Sequence, residues 1–138
     1  MKRASIEAVV KALNEANVRY MVAGGLAVVA HGYVRFTADV DIILDMETEN
    51  LNRAIDAFTS LGYRPRPPVP FEQFADALQR SSWVEQKGMR VFTLWNPDTP
   101  LTEIDLFVEN PFDDYSRAHE NATAIEIAPG IEMTVVGL

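Results

Sequence analysis

Two aspartates separated by one residue are the feature of this sequence that most directly suggests chemistry. Asp39 and Asp41 alternate with apolar residues, and the two-residue period of a β-strand places both carboxylates on one face. Such carboxylates lie about 7 Å apart and repel each other unless solvent or a cation compensates. Mg²⁺ prefers hard oxygen ligands of this kind, and two Mg²⁺ ions about 4 Å apart can hold both reacting oxygens of a phosphoryl transfer. By itself, however, an Asp-x-Asp pattern more often marks the solvent face of an ordinary strand.

A glycine pair upstream of the two aspartates would supply the other half of a nucleotide site. The residue pattern predicts a short strand over 20–23, a turn at Gly24 and Gly25, and a short helix over 26–31. Backbone N–H groups at the start of a helix are free to bind anions, and glycine lets a phosphate approach without a side-chain clash. Alone, the pair would be an ordinary tight turn. Followed within a short segment by paired carboxylates, it predicts a site for a metal and a nucleotide.

These two features together resemble the signature of the polymerase-beta-like nucleotidyltransferase superfamily, in its minimal bacterial type. That type includes abortive-infection toxin-like proteins and antibiotic nucleotidyltransferases. The resemblance implies an α/β (α+β) domain with the nucleotidyltransferase fold, in which helices flank a mixed, mostly antiparallel sheet of about five strands. The residues that carry it are Val22-Ala23-Gly24-Gly25-Leu26-Ala27 and Arg35-Phe36-Thr37-Ala38-Asp39-Val40-Asp41-Ile42.

The resemblance also implies a third carboxylate on a neighbouring strand. Asp105 lies between apolar residues in a predicted strand and is the first candidate, with Glu103 on the same strand face as the alternative. In the mechanism that the resemblance implies, Asp39 and Asp41 bridge two Mg²⁺ ions. Asp105 binds the second ion and accepts the proton of the attacking hydroxyl.

Four further residues are expected to bind the nucleotide. The resemblance assigns the triphosphate to Gly24 and Gly25. Arg35 is close enough in sequence to the aspartates to bind a phosphate, although it could instead pair with a local acid such as Asp45. Thr37 is the fourth candidate because it could cap or orient the strand that bears the metal ligands, although a hydroxyl at the start of a strand needs no special explanation.

The rest of the chain predicts the elements that would position this site. Apolar spacing predicts helices over 5–16, 47–61 and 71–79. Strand-forming runs cover 40–44, 89–95, 101–108, 124–127 and 131–136, and the proline-rich segment 64–70 predicts a loop.

Composition limits the classes of protein that this chain can be. Its 138 residues predict a single domain over 1–138, with 48% hydrophobic and 23% charged residues. The net charge of −8 argues against coating a long nucleic acid. No apolar stretch reaches the roughly 20 residues of a membrane span, so no membrane partner is expected. The absence of cysteine and of a signal core is consistent with a cytoplasmic protein.

Five of the twelve positive charges lie in the middle of the chain. They would form either a contact surface for an acceptor or an ordinary solvated face, and the solvated face is the simpler prediction. Two tryptophans in the same region could stack on a base but are expected in the core. The residues concerned are Arg64, Arg66, Arg80, Lys87, Arg90, Trp83 and Trp95.

Two functions follow from these observations. The first is an enzyme that transfers a nucleoside monophosphate from a nucleoside triphosphate such as ATP to a hydroxyl of RNA, protein or a small molecule, releasing pyrophosphate. The second is a non-catalytic nucleotide-binding or toxin–antitoxin regulatory module that acts through a partner chain. The sequence ends soon after a predicted strand, which predicts either a very short member of the family or an acceptor site completed by a partner chain, by a second copy in a homo-oligomer or by a missing segment.

Overall fold

Seven strands form one mixed sheet in an α/β arrangement. The computed structural model describes residues 4–23, 39–99 and 103–137, and these ranges contain four α-helices and one 3₁₀-helix beside the sheet. In chain order the elements are α1 (Ala4–Glu15), β1 (Tyr20–Ala23), β2 (Val40–Leu44), α2 (Thr48–Ser60), β3 (Arg64–Pro65), the 3₁₀-helix (Phe71–Ala75), α3 (Ala77–Lys87), β4 (Val91–Trp95), β5 (Ile104–Phe107), α4 (Tyr115–Glu120), β6 (Thr123–Ala128) and β7 (Ile131–Val135).

The strand order places β2 and β5 side by side near the middle of the sheet. The order is β3-β4-β5-β2-β1-β7-β6. β2 pairs with β5 in parallel and β1 pairs with β7 in parallel, whereas the other four pairings are antiparallel. Between β2 and β5 the chain passes through α2, β3, the 3₁₀-helix, α3 and β4. A parallel pairing requires a long crossover of this kind.

One face of the sheet carries the main hydrophobic core. Alternate residues of β2 and β5, such as Ile42 and Leu106, point into it and are almost fully buried. Helices α1 and α2 contribute their apolar stripes, in which residues recur every three to four positions. An aromatic group fills the space beneath α2, α3 and the 3₁₀-helix: Phe58, Tyr63, Phe71, Phe74, Trp83 and Phe92.

The opposite face is covered by a smaller cluster around α4. Tyr115 of α4 packs with Met21 and Ile43, and partly buried side chains such as Phe107 extend the contact. This face also carries the aspartates predicted to act in catalysis, because they alternate with the core residues of the same strands. One face of the sheet therefore holds the main core, and the part of the other face that α4 does not cover is available for a site.

The nucleotidyltransferase fold predicted from the sequence, with a mostly antiparallel sheet of about five strands, is wrong. The described residues form a seven-stranded sheet that includes parallel pairs. Alternation of apolar and polar residues fixes which face a side chain takes but not the direction of the neighbouring strand. In addition, β3 is two residues long and lies in the proline-rich segment, where Pro65 is tolerated because β3 is at the edge of the sheet.

The helices also differ from the prediction in places. The helix predicted over 71–79 is a 3₁₀-helix followed by a separate helix, α3, that continues to Lys87. The break lies at Asp76, which has an extended backbone and caps α3 by accepting hydrogen bonds from the backbone N–H groups of Leu78 and Gln79. Helix α4 was not predicted, because its six residues are mostly polar. Within the described ranges, no helix is long and apolar enough to cross a membrane.

Candidate active site

The parallel pairing of β2 and β5 places two of the predicted catalytic aspartates directly beside each other. Asp41 and Asp105 are partners in the strand register. Neighbouring strands are about 4.8 Å apart, and directly paired residues share a face. Both aspartates are half-buried, on the face opposite the main core. Residues 64 positions apart in the sequence are thus brought together by one strand pairing.

Asp39 and Glu103 lie two residues before Asp41 and Asp105, respectively, and therefore share their face of the sheet. Asp39 precedes β2 and is exposed, and the backbone N–H of Val40 donates to the carbonyl of Glu103 at 2.8 Å. The site therefore contains four carboxylates on two adjacent strands. We call these four residues, Asp39, Asp41, Glu103 and Asp105, the acidic face.

The acidic face is electrostatically unfavourable for its own charges. The pKa of Asp39 is raised, first by loss of solvent around the carboxylate and then by the negative charge of Asp105. The pKa of Asp41 is raised by the same two causes in the same order. Because both shifts favour the neutral form of the carboxyl group, a bound cation would relieve an existing cost.

A threonine on the next strand holds Asp105. Thr93 of β4 is the register partner of Asp105, and its Oγ1 donates to Asp105 Oδ1 at 2.7 Å. The sequence analysis missed Thr93. A signal was present, since β4 and β5 follow one another along the chain and consecutive strands usually pair with each other. That pairing would have placed Thr93 near the acids.

Glu103 has a different partner. Arg66, which follows β3, forms an ion pair with Glu103 in which the arginine Nε donates to Oε2 at 3.0 Å and its terminal NH₂ group donates to the same oxygen. Arg66 also lies over the ring of Trp95. The alternative third carboxylate of the sequence analysis is therefore already paired with a cation.

The donor chemistry of the acidic face fits Mg²⁺, although no three of its carboxylates are close enough together to hold one ion. Carboxylate oxygens are the ligands that Mg²⁺ prefers, and their mutual repulsion would be neutralised by the ion. Among residues 4–23, 39–99 and 103–137, however, no group of three or more His, Asp or Glu side chains could hold a metal ion as the side chains stand. Mg²⁺ is commonly held by one or two carboxylates and completes its coordination with water and substrate phosphates, so its binding does not depend on three converging side chains.

The other predicted site residues lie outside the described residues. These are Gly24, Gly25, Arg35 and Thr37, together with the helix predicted over 26–31. What the structure does place is the strand before them: Ala23, the last residue of β1, is the register partner of Asp41. The chain therefore leaves β1 toward the glycine pair from a position beside the acidic face.

The acidic face lies on the surface of the sheet, where Asp39 is exposed and Asp41 and Asp105 are half-buried. One cavity of about 550 Å³ opens instead where β4 begins, and its lining includes Gly88, Arg90 and Pro111. Glu109 is the one carboxylate in that lining, and none of the predicted catalytic residues is there. That cavity therefore offers no chemistry comparable to the acidic face.

Comparisons with known proteins add no functional assignment. No protein-family model matches the chain, and no curated protein is significantly similar to it in sequence. The function must therefore be argued from the side chains that the strand pairings bring together.

Proposed function

We propose that this protein is a cytoplasmic, Mg²⁺-dependent nucleotidyltransferase that transfers a nucleoside monophosphate from a nucleoside triphosphate to a hydroxyl acceptor. The observation that carries the proposal is the pairing of Asp41 with Asp105 on adjacent parallel strands, with Asp39 on the same face. Loss of solvent and the nearby charge of Asp105 raise the pKa of Asp39 and of Asp41, so holding these carboxylates together is costly for folding, and a cation-dependent reaction gives a physical reason to keep them together.

The proposed reaction balances without any redox partner. The acceptor oxygen forms a bond to the α-phosphorus while the bond from that phosphorus to the bridging oxygen breaks, and pyrophosphate leaves with the electron pair. The acceptor proton passes to Asp105, which the Thr93 hydroxyl holds in place. Bound Mg²⁺ would neutralise the carboxylates and the triphosphate. In this proposal Gly24, Gly25 and Arg35 keep their predicted role of binding the triphosphate, and Thr37 keeps that of orienting the strand that bears the metal ligands.

Calorimetric titration of nucleoside triphosphates with and without Mg²⁺ tests the metal and nucleotide parts of the proposal. We expect binding that requires Mg²⁺ in the wild type and that weakens at least about tenfold in Asp41→Asn, because a direct ligand is lost. Asp56→Asn is the matched control, since Asp56 is an exposed aspartate of α2, which packs on the opposite face of the sheet. Absence of triphosphate binding by the wild type would refute the proposal.

Incubation with α-labelled triphosphate and mixed RNA, protein and small-molecule acceptors tests the transfer step. We expect Mg²⁺-dependent incorporation of label by the wild type and Asp56→Asn, with release of pyrophosphate, and none above background by Asp41→Asn. Metal-dependent binding without incorporation into any acceptor class would instead support the non-catalytic nucleotide-binding module.

A further inference from the structure

A basic aromatic patch lies at the sheet edge next to the acidic face. We call Arg64, Arg66 and Trp95 the basic edge. The guanidinium carbons of Arg64 and Arg66 lie 5.9 and 5.1 Å from the centroid of the Trp95 ring. Both arginines are exposed and Trp95 is half-buried. Such distances are typical of cation–π contacts, so the three side chains form one surface.

Strand pairing puts the basic edge on the same face as the acids. Trp95 lies two residues after Thr93 on β4, and Arg64 is its register partner on β3. The backbone N–H of Arg66 donates to the carbonyl of Thr93 at 2.8 Å, so the chain after β3 continues alongside β4. Across this face the strand order is β3 with Arg64, then β4 with Trp95 and Thr93, then β5 with Asp105 and β2 with Asp41. β3, which carries Arg64, lies two strand spacings or about 10 Å from β5, and Trp95 lies on β4, one spacing from β5.

The composition of the basic edge suits a ligand that carries both phosphates and bases. Guanidinium groups bind phosphate oxygens through paired hydrogen bonds. An indole ring can stack on any nucleobase, whatever the sequence of the nucleic acid. Arg64 forms no ion pair with another described residue. Arg66 is paired with Glu103, but its side chain is 52% exposed, and exposed ion pairs of this kind are weak enough for a phosphate to compete.

We propose, resting on the nucleotidyl transfer proposed above, that the basic edge binds the acceptor and that the acceptor is the single-stranded end of an RNA. Among the acceptor classes of that reaction, RNA combines phosphates with stackable bases, whereas neither is general to proteins or small alcohols. The net charge of −8 repels a long polyanion. Contact is therefore confined to the RNA end, which lies over the basic edge with its terminal hydroxyl toward Asp105.

Fluorescence anisotropy of a labelled ten-nucleotide single-stranded RNA, without Mg²⁺ or triphosphate, tests this inference. We expect Arg64→Ala and Trp95→Leu each to weaken binding about fivefold or more, and Trp95→Phe to retain most of it because the ring still stacks. Arg64→Ala should also lower the slope of log Kd against log salt by about 0.7. The matched control is Arg90→Ala, an exposed arginine at the opposite end of β4, which should bind like the wild type.

Equal binding by Arg64→Ala and Arg90→Ala, or an unchanged salt slope in Arg64→Ala, would overturn the inference. So would tighter binding of an acidic ten-residue peptide than of the RNA. Circular dichroism of each variant verifies that it is folded. The anisotropy titration and the label-transfer assay together separate the two proposals. RNA binding at the basic edge without label transfer rejects the enzymatic function. Label transfer to a protein or small molecule without RNA binding rejects only the inference.

Discussion

Glu103 and Asp105 lie two residues apart on one strand but have different partners. Glu103 pairs with the cation Arg66, so its charge is already compensated. Asp105 accepts a hydrogen bond from the neutral hydroxyl of Thr93 and therefore keeps its charge for a metal ion or a proton. This difference, which the shared strand face of the two acids conceals in the sequence, favours Asp105 as the third carboxylate of the proposed reaction.

Thr93 is accordingly a positioning residue with a measurable role. We expect Thr93→Val to lower kcat about 10- to 100-fold, because Asp105 loses the donor that fixes its carboxylate, while the KM for triphosphate stays within about twofold. Valine matches the shape of threonine, so packing is preserved. The measurement is steady-state incorporation of α-labelled nucleotide.

Thr93→Ser separates positioning from a purely structural effect. Serine keeps the hydroxyl but lacks the methyl group, so its activity should return to within a few-fold of the wild type. If Thr93→Ser were as impaired as Thr93→Val, the hydrogen bond to Asp105 would not be the cause.

At the level of elements, helix α4 closes the part of the sheet face that the acidic face does not use. Its residue Tyr115 packs its ring on Met21 and Ile43, but the Tyr115 hydroxyl is buried without a hydrogen-bond partner among the described residues. The pKa of Tyr115 is strongly raised, first by burial and then by the charge of Asp45. The ring stabilises the fold, and the hydroxyl does not.

Tyr115→Phe is therefore expected to be neutral or to stabilise the protein by up to about 1 kcal/mol at pH 7. A raised pKa in the folded state contributes stability that is present below the ordinary value of 10.0 and lost as pH rises above it. The variant lacks this alkaline loss, so its advantage should grow from pH 9 to pH 11. Urea unfolding across that range measures the difference, and a constant or shrinking difference would contradict the prediction.

The sequence predicts most of the strands that carry the site, but few of the pairings and side-chain contacts between them. The strands that became β1, β2, β4 and β5 were predicted, as was the shared face of Asp39 and Asp41, because both follow from local periodicity. Strand direction, the edge strand β3 and the contacts of Arg66 depend on pairings between distant segments. Such pairings are decided by packing of the whole sheet, which no local pattern encodes.

At the level of the whole molecule, the acidic face and the net charge of −8 act together. Each unneutralised carboxylate adds to repulsion across an already negative protein. At the acidic face the charge of Asp105 adds to the loss of solvent that raises the pKa of Asp39 and of Asp41. A ligand that binds the folded state alone stabilises it by mass action. The stability of the whole chain should therefore depend on Mg²⁺.

We expect Asp41→Asn to abolish that dependence. In EDTA at pH 7 the variant should unfold about 2 to 4 °C above the wild type, since it lacks one of the repelling charges and solvent screening limits the gain to under about 1 kcal/mol. Adding 10 mM Mg²⁺ should raise the Tm of the wild type and of Asp56→Asn but not that of Asp41→Asn. Differential scanning calorimetry makes the comparison. A variant less stable than the wild type in EDTA would mean that Asp41 serves the fold, whereas an equal rise with Mg²⁺ would place the ion elsewhere. The expected crossover requires one residue to cost stability when the metal is absent and to bind the metal when it is present.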